Sequence, residues 1–243
     1  MALGLPQSGG GERVPIIKYD ARAGRLFRVD RAQNAAGQYD STAVEITPVF
    51  QAVFDLEHIE IGWLSFPTNG APDIQVVPFG QPLPPKPSAA HRVGFRVMML
   101  LGRACGGDVR EMAANASASI KGIDALHDAY LAGVKMSPGL LPVVKLGGTA
   151  PIVSTGKQQS STNYEPLWSI TSWVARPPGL TVEAIAALRL GGDAGRTAGV
   201  QAAANAAQGN GMNGARGPET IHQPLPPPPP PPPPGPPSVA DDF

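Results

Sequence analysis

The residues best suited to chemistry are few. Asp55, Glu57, His58 and Glu60 fall within one short stretch, and carboxylates at that spacing could hold a divalent cation for nuclease-type hydrolysis. On a strand, however, Asp55 and Glu57 share one face while His58 and Glu60 share the other, so period two splits the set and a solvated strand edge is the simpler reading. The four histidines, His58, His91, His127 and His222, have no paired metal-ligand spacing, and no G-x-S-x-G nucleophile elbow occurs. The nearest approach to a phosphate loop, Thr149 to Gln158, has Pro151 where glycine is required and Gln158 where a hydroxyl must meet magnesium. Cys105 is the single cysteine, which excludes an internal disulfide and a multi-cysteine zinc site. A protein without catalytic residues, metal or cofactor is expected.

Binding chemistry is better represented. Lys+Arg and Asp+Glu are equal at 19 each, which excludes a uniformly basic, histone-like chain. The zero sum conceals segregation along the sequence. Between Asp40 and Asp73 stand six acids and no base, whereas Val76 to Lys157 carries nine bases (Lys86, Arg92, Arg96, Arg103, Arg110, Lys121, Lys135, Lys145, Lys157) against four acids (Asp108, Glu111, Asp124, Asp128). A single-strand binder needs a basic groove and a few aromatic platforms, each contributing about 1–3 kcal/mol of stacking. The candidate nucleic-acid-binding residues are Phe79, Lys86, Arg92, Arg96, Lys145, Lys157, Tyr164 and Trp168. Lys86 sits in the stiff Pro82-Leu83-Pro84-Pro85-Lys86-Pro87 loop.

These residues need strands to hold them. Val14–Asp20 and Arg25–Asp30 read as two strands around a turn at Ala23-Gly24. Val44–Phe54, Ile59–Phe66, His91–Leu101 and Tyr164–Arg176 are further strand candidates. In His91–Leu101, alternation would put Arg92, Gly94 and Arg96 on one face, with Gly94 leaving the surface between the arginines open. In Tyr164–Arg176 it would put Trp168 and Trp173 on opposite faces, one of them in the core. Ile120, Ile123, Leu126, His127, Tyr130 and Leu131 recur at helical spacing with Gly133 as a stop, and Thr181–Leu190 forms a second helix capped by Thr181. The expected class is mainly β with minor α, an OB-like Greek-key barrel with one or two helices.

The chain contains 29 Gly and 29 Pro, and their placement suggests how it divides. Residues 1–12 are expected to be a disordered N-terminus, 13–190 the OB-like nucleic-acid-binding domain, 191–237 a disordered Ala/Gly- and Pro-rich linker and 238–243 an acidic tip. The linker contains nine consecutive prolines, Pro226 to Pro234, which favour an extended polyproline II rod. No secretory leader and no window of about 18 apolar residues is found, so a cytoplasmic protein with no membrane partner is expected.

The tip Asp241-Asp242-Phe243, following a β domain and a polar linker, resembles the acidic C-terminal tip of bacterial and bacteriophage single-stranded DNA-binding proteins. The resemblance implies an OB-fold that binds DNA. It also implies that Phe243 anchors in an apolar pocket of replication and repair proteins while Asp241 and Asp242 meet a basic rim. The leading expectation is thus a protein that coats single-stranded DNA in replication or recombination, in the host cytoplasm if bacteriophage-encoded, with room for self-association. The alternative is a structural or adaptor protein, virion-associated in one version, whose polyproline segment docks in an aromatic groove. A metal-dependent nuclease using Asp55 and Glu57 is the third.

Overall fold

The computed structural model describes residues 14–35, 39–68, 70–155 and 160–189. The expected N-terminal arm, linker and tip lie outside them, as does Lys157. Among the described residues ten strands and two α-helices form, in the order β1 (Ile16–Asp20), β2 (Arg25–Gln33), β3 (Tyr39–Glu45), β4 (Gln51–Phe54), β5 (Glu60–Ser65), β6 (Asp73–Pro78), β7 (Arg92–Leu101), β8 (Val109–Ala114), α1 (Ser117–Val134), β9 (Leu140–Thr155), β10 (Ser160–Ala175) and α2 (Val182–Arg189). The domain is mainly β, as its β-branched and aromatic runs require.

Strands follow the order β10-β9-β4-β7-β8-β1-β2-β3, with β5 pairing β7 and β6. All pairs are antiparallel except β1 with β8. The sheet forks. β4 and β5 lie end to end along one edge of β7, with Phe54 opposite Met99 and Glu60 opposite Arg96. Beyond that line β4 continues into the long β9–β10 hairpin and β5 into β6. The sheet also curls, because the Tyr164 amide of β10 donates to the Ala21 carbonyl at 2.6 Å in the turn between β1 and β2. Tyr19 Oη donates to the Tyr164 carbonyl at 2.9 Å, and burial, followed by the charges of Asp20 and Glu165, pushes that phenol up to about 12. A backbone bond and a side-chain bond make this closure, without a strand ladder.

The turn that makes it was legible in sequence. The Asp20 carboxylate accepts from the Arg22 and Ala23 amides at 2.9 and 3.2 Å, and Gly24 adopts φ +66°, where a side chain would be strained.

Alternation places apolar residues on both sheet faces. Met99 and Val144 belong to the larger core with Leu26, Phe54, Ile123, Leu126 and Tyr130 under α1, while the adjacent Met98 joins Leu141, Leu180 and Ile185 under α2. The Thr181 hydroxyl caps α2 by accepting from the Ala184 amide at 3.2 Å. α1 carries Ile123, Leu126 and Tyr130 inward, as their spacing predicts, but leaves Leu131 exposed. It runs to Val134, one residue past Gly133, whose missing side chain admits the Trp173 ring.

Three expectations need correction here. Val44–Phe54 is not one strand: the 3-10 turn Thr47–Val49, with Pro48 early in it, separates β3 from β4. Both Trp168 and Trp173 pack on the larger core, because Ile170 pairs with Val144 and Ser172 with Val143. Thr171 is thus an extra residue, and this β-bulge reverses the alternation between the tryptophans. Gly94 does not open a surface. The Cβ it lacks would collide with the Ala114 carbonyl, and that of Gly62 opposite it with the Gln75 backbone, so both positions serve close strand crossing.

Candidate nucleic-acid interface

The fork in the sheet brings together the acidic cluster that a strand would have split. Leu56–His58 is a 3-10 turn, so Asp55, Glu57 and His58 each offer a ligand atom within 4.8 Å of the others. A cation already occupies the middle of the cluster. Arg176, just beyond β10, donates to both Asp55 oxygens at 2.8 and 3.0 Å, to Glu57 at 2.5 Å and to the Leu180 carbonyl at 2.7 Å. His58 Nδ1 lies 3.0 Å from Asp55. The Asp55 side chain is only 1% exposed, which makes a neutralising partner obligatory. Burial alone would lower the Arg176 pKa, but its hydrogen bonds to the Asp55 and Glu57 carboxylates outweigh it and raise the value. The cluster ties the end of β10 and the approach to α2 onto the fork. Glu60 does not join it.

Glu60 instead holds Arg96. The Arg96 Nε and Nη2 donate to the two Glu60 oxygens at 2.7 and 3.1 Å, and Arg189 from the last turn of α2 donates to Glu60 at 2.8 Å. Glu111 lies 3.9 Å from Arg96. Burial alone would raise the Glu60 pKa, but hydrogen bonds from Arg96 and Arg189 bring it below the ordinary 4.5. Burial raises Glu111, which Arg96 and Arg189 only partly counter. Arg96 is therefore a structural cation, not one free to meet phosphate.

The other expected binding residues divide by location. Trp168 packs against Phe50, Phe54 and Tyr19 with ring centroids 5.5, 5.8 and 6.5 Å apart, as a core residue. Tyr164 is half-buried and commits its backbone to the Tyr19–Ala21 closure. Lys145 is exposed on β9 and lies opposite Gln51, at the start of the β4–β5 line. Arg92 is paired with Leu64, near the other end of that line. The sheet therefore does not bring Lys145 to Arg92.

It does bring Phe79 and Lys86 to the face of a residue absent from the expected set, Trp63, whereas Arg92, opposite Leu64, falls on the other face. In the β5–β6 ribbon Trp63 is opposite Gln75 and Ile61 opposite Val77, and the Phe79 amide donates to the Ile59 carbonyl at 3.0 Å. Trp63, Ile61, Val77 and Phe79 thus share one face. Four residues at about 3.3 Å each separate the levels of Gln75 and Phe79, so the two aromatic rings are roughly 13 Å apart along the ribbon. Phe79 is 55% exposed and meets His127 edge-on at 4.6 Å. Burial lowers the His127 pKa, with Asp128 and Asp124 pulling the other way.

The Pro-rich loop between β6 and β7 folds over the Trp63 end of this face. The Trp63 indole N–H donates to the Pro84 carbonyl at 2.8 Å, and the Lys86 ammonium lies 5.6 Å from the ring centroid. His91 fastens the far end of the loop, its Nε2 at 2.9 Å from Asp73 and its Nδ1 at 2.9 Å from the Ser88 hydroxyl. Lys86 and Arg92 are exposed and have no carboxylate partner among the described residues. Trp63 could have been found from its alternation with Ile61 and from the proline-rich stretch Pro82 to Pro87 that follows it in the basic part of the chain. None of the described helices is long and apolar enough to cross a membrane. No family model, curated protein or solved structure matches the chain.

Proposed function

We propose that this protein binds single-stranded DNA, and that the β5–β6 ribbon is where it does so. The observation that carries the reading is the row Trp63–Ile61/Val77–Phe79 on one ribbon face, with Lys86 over the indole. Aromatic faces accept any base, and cations without acidic partners attract the phosphate backbone. On this reading the curled sheet is an OB-like platform, and no catalytic group takes part. Bases would stack at Trp63 and Phe79 while Lys86 exchanges its contact with the indole for one with phosphate. The acidic tip Asp241-Asp242-Phe243 would recruit replication or repair proteins, as the resemblance implies.

A gel-shift titration of the full chain on a single-stranded oligonucleotide over a salt series tests the proposal. It predicts micromolar or tighter binding that weakens as salt rises. Absence of binding at low salt would overturn it.

A further inference from the structure

We propose that β3 is a self-association edge, on which a second copy of this chain pairs antiparallel about a two-fold axis at Ala43. β3 ends the strand order, and among the described residues it has no partner beyond β2. Asp40 through Glu45 are all exposed. Its register with β2 is unbroken, and the central Ser41-Thr42-Ala43-Val44 contains no charge, proline or glycine, which are the features that ordinarily blunt a free edge. The other edges are less suited: β10 contains Pro166, on which Gly122 of α1 packs, and β6 ends in Pro78.

Charge selects the second copy as the occupant and fixes the register. Arg31 is exposed, has no carboxylate partner among the described residues, and is opposite Ser41. Glu45 shares the face of Ser41 and Ala43, and only Arg25 holds it, at 3.0 Å. With Ala43 opposite itself, Ser41 stands opposite Glu45 of the second copy. Each Arg31 then reaches across its own Ser41 toward that carboxylate. The symmetry makes two such pairs from one pairing, the mark of an isologous contact. Five-residue strand pairing buries little area, so the association is weak and concentration-dependent.

Sedimentation of the full chain from micromolar to near-millimolar concentration tests the pairing, together with disulfide trapping of Ala43→Cys and Ser41→Cys. The native Cys105 is fully buried and does not interfere. The expected result is a shift toward dimer with concentration and rapid oxidative cross-linking of Ala43→Cys but not of Ser41→Cys. Ala43→Glu, which sets two carboxylates face to face, should remain monomeric with an unchanged melting temperature. A monomer at every concentration with no Ala43→Cys cross-link would overturn the proposal. So would a dimer that cross-links equally well through Ser41→Cys.

Discussion

The Lys86 ammonium stands 5.6 Å from the centre of the Trp63 ring, and the loop that carries it is bonded to the same indole through the Pro84 carbonyl. An exposed cation and the ring of a half-buried tryptophan are thereby held together, without an acidic partner for the cation among the described residues. Exposed cation–π contacts are worth only about 0.5–1 kcal/mol, so a nucleotide can displace Lys86 from the ring at small cost.

Replacing Trp63 by Ala should therefore weaken single-strand binding by roughly 10- to 100-fold, the equivalent of one lost stacking platform of about 1–3 kcal/mol. Lys86→Ala should weaken it less and lower the salt slope by about one phosphate contact. Fluorescence anisotropy of a labelled oligonucleotide at several salt concentrations separates the two effects.

Arg96→Ala should leave nucleic-acid affinity unchanged and lower stability. Removing Arg96 leaves the largely buried Glu60 carboxylate with Arg189 alone, at a cost of about 1–3 kcal/mol. Thermal melting and anisotropy on the same variant check both halves of the statement. A loss of affinity without a loss of stability would return Arg96 to the binding surface.

These contrasting roles show where the sequence was informative. Apolar runs bounded by turn residues located β1, β2, β5, β7 and β10, helical spacing located α1, and the Thr181 cap located α2. The spacing of Arg92 and Arg96 could not reveal that Glu60 would be opposite Arg96, since register between strands depends on turns far from either residue. Asp55, Glu57 and His58 were separated by strand logic that a single 3-10 turn cancels. β9 escaped notice because Pro142, Gly147, Gly148 and Pro151 interrupt its apolar pattern, although the hairpin with β10 holds it extended.

Arg176→Met should be more damaging than Arg96→Ala. It strands Asp55, whose side chain is 1% exposed, without its bidentate partner, and removing one member of a buried ion pair costs about 3–5 kcal/mol. Chemical denaturation should show a lower midpoint with the slope preserved. Adding Asp55→Asn should recover part of the loss, because no uncompensated charge then remains.

Acid should destabilise the fold through Glu60 and Asp30. For both, burial alone would raise the pKa, but arginine hydrogen bonds outweigh it and bring the folded values below the ordinary 4.5 and 3.8. Their contribution is present above those ordinary values and is lost as pH falls through the folded ones. Glu111, raised mainly by burial, acts with the opposite sign: its contribution is full below 4.5 and lost as pH rises through its folded value. Melting temperature against pH should therefore fall steeply below about pH 4.5. Glu111→Gln should raise the melting temperature at neutral pH while leaving the acid limb in place.

The measurement that bears most directly on the central claim is a titration of a labelled single-stranded oligonucleotide with the full chain and with Trp63→Ala, at low salt, with thermal melting of both proteins alongside. Salt-sensitive binding by the native chain is expected, with at least tenfold weaker binding by Trp63→Ala at matched fold integrity. Equal affinity for the two proteins, or no binding by the native chain, would contradict it.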